Sequence, residues 1–198
     1  MFSIIYHPID KEKGTLKLCV DGVDILKYKI NGVEKDYVGN VVAISDWLDE
    51  NLKFILTEQP CPVETAGNSG IEKYNNCFCL PDEIIERRIA EIQQWGFQRD
   101  WIVARGGSFV AEVFFRKVDN FIEISWDNRT TYSKYGVVFN CPTGNVLIPQ
   151  DIFITTIKDF LQNMRGSRAN TGDGSSRTQG TVPRVLTKHP NKHQGAGS

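Results

Sequence analysis

Two cysteines separated by one residue are the first feature of the sequence with possible chemistry. Cys77 and Cys79 flank Phe78, and a pair of thiolates can bind a zinc ion. A structural zinc site takes four ligands, usually as two C-x₂₋₄-C pairs, and the sequence has no second pair. The two cysteines therefore indicate ordinary half-buried thiols at the edge of a strand or loop. We expect neither a bound metal nor any other cofactor.

The three histidines offer little for catalysis. His189 and His193 are four residues apart, as in a zinc peptidase helix, but Pro190 opposes a helix and no glutamate base lies between them. A nucleophilic cysteine or serine would therefore depend on His7, the remaining histidine. Nothing in the sequence places His7 beside a cysteine. We predict that the chain is not an enzyme, with a small thiol enzyme as an alternative.

A cluster of aromatic and basic residues is a better candidate for binding. Trp101 lies between Arg99 and Arg105 in sequence, and tryptophan and arginine are enriched at the energetic centres of protein interfaces. Helical and strand periodicity directs Trp95 and Trp126 inward, whereas Trp101 lies in an irregular stretch. We therefore predict that Trp101, Arg99 and Arg105 form an exposed surface that binds a partner.

The elements before residue 40 are predicted to be antiparallel strands. Residues 15–20 alternate between apolar and polar side chains, and Asp21-Gly22 is a strong hairpin turn. Residues 23–30 form the predicted return strand, and Asn31-Gly32 marks a second turn. This pattern predicts a small meander.

Apolar side chains at three- and four-residue spacings predict three helices. The first covers residues 41–57, and the second begins near Pro81 and ends at Gly96. The third covers residues 149–164 and ends at Gly166. Residues 65–76 are rich in Gly, Asn and Ser, which indicates a surface loop.

A second hairpin is predicted after Gly106-Gly107. Residues 109–116 and 122–126 alternate, with a turn at 117–120, and residues 136–140 add a short strand. The fold class predicted from these elements is α+β, with a small antiparallel sheet of hairpins packed with about three helices.

Composition divides the 198-residue chain into a body and a tail. Apolar types make up 40% of the chain, which is enough for one globular domain at residues 1–165. Residues 166–198 carry a net charge of +4 and no aromatic residue, while residues 1–165 carry −5. We predict that 166–198 is a disordered basic Gly/Ser-rich tail or linker. Nucleic acid is expected to bind, if at all, only through this tail.

The sequence also indicates a compartment. Residues 1–8 lack the features of a signal peptide, and no apolar run reaches about 18 residues. The five cysteines are an odd number, which fits reduced thiols. We expect a cytoplasmic protein that does not bind a membrane.

Three segments in order resemble a known kind of domain. They are the helix sequence SDWLDENLKFIL at 45–56 with Gln59-Pro60 after it, the run 106–116, and IEISW at 122–126. Together with the Asp21-Gly22 hairpin, these segments resemble the accessory domain found upstream of ImmA/IrrE-type metallopeptidases. The resemblance covers about residues 14–127. The H-E-x-x-H of the peptidase itself is absent, and Arg99 stands where many such domains have a histidine.

The resemblance implies a non-catalytic recognition or regulatory module that binds a protein partner. The context it implies is repressor cleavage or the response to mobile elements and phage, including phage defence. A stand-alone immunity or antitoxin-like protein is the alternative, because such a protein would also be small and acidic and would bind a toxin through exposed aromatic residues.

Overall fold

The predicted α+β class is confirmed: residues 1–170 fold into four α-helices and three antiparallel sheets. The computed structural model describes residues 1–170. The helices are α1 (Val41–Ile55), α2 (Gly70–Cys77), α3 (Asp82–Phe97) and α4 (Gln150–Asn170), with short 3₁₀ helices at Trp101–Ala104 and Ser133–Tyr135. The strands are β1 (Phe2–Pro8), β2 (Lys13–Val20), β3 (Val23–Asp24), β4 (Tyr28–Ile30), β5 (Val33–Lys35), β6 (Val38–Asn40), β7 (Phe114–Val118), β8 (Phe121–Asp127), β9 (Val137–Phe139) and β10 (Thr143–Pro149).

The first two sheets are built around the two predicted turns. In the first sheet β2 pairs with β1, β3 and β6, and in the second β4 pairs with β5 and β9. Asp21 and Gly22 have φ of 50° and 83°, and Asn31 and Gly32 have 51° and 80°. Positive φ at both central positions is what a tight two-residue hairpin requires. Both turns are therefore confirmed.

The predicted return strand at 23–30 is wrong as a single element. It divides into β3, which belongs to the first sheet, and β4, which belongs to the second. Ile25 and Leu26 lie between the two strands and are buried in the core. The burial of these two side chains removes their apolar surface from water and stabilises the connection between the two sheets.

The third sheet has β8 at its centre, between β10 and β7. Successive strand residues face opposite sides, so Ile122, Ile124 and Trp126 enter the main core. Glu123 and Ser125 face α2 on the other side and are also buried. The central position predicted for this hairpin applies to β8 only, since β7 stands at the end of the three-strand order. Strand β7 begins only at Phe114, so the predicted strand over 109–113 is wrong.

A short extended segment continues the third sheet beyond β7. The Phe115 amide donates to the Arg99 carbonyl at 2.8 Å, and the Trp101 amide donates to the Val113 carbonyl at 3.3 Å. Because neighbouring residues of an extended segment face opposite sides, Arg99 and Asp100 point in different directions. This segment positions the candidate site described below.

Two helices differ from their predictions. The predicted loop at 65–76 contains α2, which starts at a capping box in which Ser69 accepts from the Glu72 amide and Glu72 accepts from the Ser69 amide. The last helix passes through Gly166 and continues to Asn170, so its predicted end is wrong. The part of the predicted tail from residue 171 onward lies outside the described residues.

Two apolar clusters hold these elements together. The main core lies between the sheets, α1 and α4, and Phe153 of α4 contacts Phe2 and Phe115 with ring centroids 5.6 and 5.9 Å apart. A smaller cluster under α2 and α3 contains Ile71, Trp95, Phe114, Cys61 and Tyr74. Among the described helices, none is both long enough and apolar enough to cross a membrane.

Candidate functional site: a cleft above Arg99

The expected exposure of Trp101 is wrong. Its ring is fully buried in the main core, stacked edge-on against Phe115 with a centroid distance of 5.4 Å. The indole Nε1 donates to the Ala111 carbonyl at 2.8 Å. A 3₁₀ helix begins at Trp101 and directs the ring into the core, so truncating it would cost folding stability. Arg105 is exposed, whereas Arg99 is buried, and the three residues do not share one surface.

Arg99 lies where the carboxyl ends of α1 and α3 meet. One guanidinium nitrogen, Nη2, donates to the Phe54 carbonyl at 3.1 Å and to Gln59 Oε1 at 3.0 Å. The other, Nη1, is 3.4 Å from the Trp95 carbonyl and 3.5 Å from Gln98 Oε1. Carbonyls in the last turn of a helix carry partial negative charge. Arg99 therefore caps two helices at once.

The charge of Arg99 has no carboxylate partner among residues 1–170. All four acceptors of its hydrogen bonds are neutral, and its Nε is buried without a partner. Burial lowers the pKa of Arg99 to about 10, so the side chain remains charged at neutral pH. A buried cation with only neutral partners is costly for the fold, and it creates a favourable position for an anion.

A cleft of about 240 Å³ opens beside this guanidinium. Trp95 forms part of its wall and lies 5.6 Å from the Arg99 guanidinium carbon, which is a cation–π contact. The Trp95 indole donates to the Gln59 carbonyl at 3.3 Å. The remaining lining residues are Phe54, Gln59, Pro62, Glu91, Gln94 and Gln98.

The charge at the rim of the cleft is compensated. Glu91, the acidic lining residue, pairs with Arg88 at 2.7 Å. The same Arg88 Nη2 donates to the Pro62 carbonyl at 2.7 Å. The opposite charges of Glu91 and Arg88 offset each other, and the buried Arg99 guanidinium behind the lining adds a positive charge near the cleft. Three glutamine amides, from Gln59, Gln94 and Gln98, line it with donors as well as acceptors.

The structure also locates the thiols considered for catalysis. Cys61 Sγ and Cys77 Sγ lie 3.4 Å apart. On β1, His7 is opposite Thr15, while Cys19 is opposite Ser3. Four residues along the strand separate these positions, or about 13 Å. The structure therefore does not bring His7 and Cys19 together.

A second buried polar group lies on the other side of the Arg99 segment. Asp100 accepts from the Ile102 amide at 2.9 Å and is hydrogen-bonded to Glu112. Burial and the neighbouring Glu112 carboxylate raise the pKa of Asp100 well above its usual range. Asp100 and Glu112 therefore form a hydrogen-bonded pair of carboxyl groups. Asn128 holds the Glu112 backbone with two hydrogen bonds of 2.7 and 3.0 Å.

No cluster of three or more His, Cys, Asp or Glu side chains that could hold a metal ion occurs within residues 1–170. The expectation of no cofactor remains a prediction. Cys77 is the last residue of α2 and is buried, while Cys79 is exposed.

The sequence predicts only part of the cleft. The sequence pattern identifies Arg99 as a binding residue, but on an exposed surface, whereas the structure buries it behind the lining of a cleft. Gln94, Trp95 and Gln98 follow one helical face at the end of α3, a spacing that could have suggested a polar lining. Gln59 lies 40 residues away from Arg99 in sequence, and nothing in its surroundings signals the contact.

No protein-family model, no curated protein and no solved structure matches this chain. The resemblance to the ImmA/IrrE accessory domain therefore stays a hypothesis.

Proposed function

We propose that this chain is a non-catalytic recognition module that binds an acidic segment of a protein partner in the cleft above Arg99. The observation that supports this proposal is the fully buried guanidinium of Arg99, which has only neutral partners and lies directly behind the residues that line an open cleft. An incoming carboxylate would replace Gln59 Oε1 and form a charge-assisted hydrogen bond, which is stronger than the neutral one it replaces.

The size of the cleft favours a segment of a protein over a free small molecule. Small-molecule pockets usually have about 300–1,000 Å³ and enclose most of their ligand. This cleft has about 240 Å³, and Gln59, Glu91 and Gln94 on its rim are exposed. Such a cleft accommodates one acidic side chain while the rest of the partner remains outside.

The proposed role is regulatory, in mobile-element or phage response, on the basis of the resemblance of residues 14–127 to accessory domains of ImmA/IrrE-type metallopeptidases. Phage defence and a cytoplasmic location belong to the same proposal.

A peptide titration tests the proposed ligand chemistry. The probes are two blocked peptides, Gly-Glu-Gly and Gly-Gln-Gly, which differ in the carboxylate alone. We expect the glutamate peptide to shift the side-chain amide NMR signals of Gln59 and Gln98, and the glutamine peptide to leave them unchanged. Added salt should weaken the binding, since it screens the charge attraction. Equal shifts with both peptides would contradict a site for carboxylates.

A pair of variants on α3 supplies the matched control. Gln94→Glu places a carboxylate on the rim, whereas Gln93→Glu makes the same charge change one residue away, at an exposed position outside the lining. We expect Gln94→Glu to abolish the peptide-induced shifts and Gln93→Glu to preserve them. Both variants leave the contacts of Arg99 in place. Equal losses would indicate a general charge effect and would refute the site.

Site-specific cross-linking then identifies the partner. A photoreactive amino acid at position 94 should cross-link a partner protein from cells, and the same group at position 93 should give much less product. Excess glutamate peptide should compete with the product at position 94. A toxin among the products would favour the immunity alternative, while a product insensitive to the peptide would contradict the proposed cleft.

A further inference from the structure

Cys61 and Cys77 are placed for a covalent reaction with each other. Their sulfur atoms are 3.4 Å apart, and a disulfide bond of about 2.05 Å requires an approach of about 1.4 Å. Cys61 lies in the connection between α1 and α2, where no helix or strand fixes the backbone. That connection can supply the small movement.

The two thiols have different environments. Cys77 is fully buried at the end of α2, and its thiol donates to the Lys73 carbonyl at 3.2 Å. Burial and the neighbouring Cys61 raise the pKa of Cys77 to about 12, so this thiol alone reacts slowly with oxidants. Cys61 is half-buried and is the point at which an oxidant can enter.

The position of Cys61 links the pair to the cleft. It lies between Gln59 and Pro62, both of which line the cleft. Cys61 also packs on the small cluster that contains Trp95, the wall of the cleft. A bond from Cys61 to α2 would therefore fix the segment that holds Gln59 against Arg99.

We propose that Cys61 and Cys77 form a reversible intramolecular disulfide that fixes the 59–62 wall of the cleft. The bond itself is inferred from the contact of the two thiols. Its effect on ligand binding rests on the proposed function of the cleft.

The oxidant is a low-molecular-weight disulfide such as glutathione disulfide. The Cys61 thiol releases its proton to solvent, and its thiolate attacks one sulfur of the oxidant, which displaces one glutathione thiolate. The Cys77 thiol then releases its proton to solvent and attacks Cys61 Sγ, which displaces the second glutathione thiolate. The two protein thiols lose two electrons, and the oxidant becomes two thiols after taking up the two protons.

Peptide mapping after oxidation tests the bond. The full chain is equilibrated in glutathione redox buffers, free thiols are alkylated, and linked peptides are identified by mass spectrometry. We expect a 61–77 link in the wild type and in Cys79→Ser, and its loss in Cys61→Ser. Cys79 is exposed and Cys61 is half-buried, so both variants should fold, which circular dichroism checks. A predominant 61–79 link, or mixed disulfides with glutathione alone, would overturn the proposal.

A second measurement tests whether the disulfide bond changes ligand binding in the cleft. The Gly-Glu-Gly peptide is titrated into the oxidised and the reduced Cys79→Ser chain, with Gln59 and Gln98 amide signals as the readout. We expect a several-fold difference in affinity. Equal affinities with the bond present would overturn the control of the cleft but leave its proposed function intact. Failure of both forms to bind would overturn the proposed function, while the mapping still decides the bond.

Discussion

At the scale of single residues, the burial of Asp100 predicts an unusual pH dependence. The pKa of Asp100 is raised by burial and by Glu112, so Asp100 stabilises the fold fully below the pKa of the unfolded chain, about 4. That stability is lost as the pH rises through the higher pKa of the folded state. Asp100→Asn keeps a donor and an acceptor without the titration. We expect its urea midpoint to rise relative to wild type between pH 4 and pH 8.

Asp10 is the control, because its pKa shift and its effect on stability with rising pH have the opposite direction to those of Asp100. It accepts from the amides of Glu12 and Lys13 at 2.9 and 2.8 Å, which lower the pKa of Asp10. Its stabilisation is present above the unfolded pKa and is lost as the pH falls. Asp10→Asn should therefore lose stability relative to wild type as the pH rises. Parallel pH profiles for wild type and Asp100→Asn would show that Asp100 is ionised in the fold.

Residues 99–101 show how much of a residue's environment can be predicted from its type alone. Residue type alone marks Arg99 as a candidate, but the burial of Arg99 and Trp101 has no local signal, because the extended segment 99–101 pairs with residues 113–115 rather than with a neighbour in sequence. Three consecutive residues are too few to show the alternation of a strand. Their burial depends on the pairing with residues 113–115, which the periodicity of the sequence does not reveal.

At the scale of elements, Glu123 and Ser125 attach the start of α2 to the third sheet, and Glu123 supplies the charged contact. Glu123 Oε1 accepts from the Gly70 amide at 2.5 Å at the start of the helix, and its Oε2 pairs with Arg116 at 2.6 Å. Glu123 is almost completely buried. Added at Gly70, a Cβ would lie 2.6 Å from the Phe114 ring, so only glycine permits this approach.

Glu123→Ala should therefore destabilise α2 strongly. The substitution leaves the largely buried Arg116 without its partner, and breaking such a pair costs about 3–5 kcal/mol. We expect a lower urea midpoint and faster hydrogen exchange at residues 70–77. The control is Asp127→Ala, a change on the same strand as Glu123. It breaks the more exposed ion pair between Asp127 and Arg129, which should cost about 0–1 kcal/mol. Unchanged exchange at 70–77 in Glu123→Ala would show that α2 does not depend on this carboxylate.

The elements that the sequence predicts correctly are those with a long periodic signal. The pattern is sufficient for α1 and α3 within two residues, for the start of α4 and for both two-residue turns, because each is specified by local residues. It is insufficient for α2, an eight-residue helix in which half of the residues are Glu, Lys or Asn and whose stability depends on Glu123, 53 residues from Gly70. Strands β1 and β10 are not predicted, since their pairing with β2 and β8 is not local.

At the scale of the whole molecule, α4 connects the first and third sheets. It contacts β1, α1, β10 and β8, and its Phe153 ring touches rings from the first and third sheets. The helix supplies five buried side chains to the main core, namely Phe153, Ile157, Phe160, Leu161 and Met164. The chain after β10 is therefore necessary for a single core, at least as far as Met164.

The boundary of the required chain can be measured by truncation. A chain ending at Arg165 keeps Leu161, Met164 and the 2.8 Å pair between Arg165 and Asp49. We expect its urea midpoint to equal that of the full chain, since Met164 is the last residue of the described core. A chain ending at Phe160 loses two buried side chains, which should cost about 3–6 kcal/mol. A large loss already at Arg165 would mean that the remaining residues support the fold.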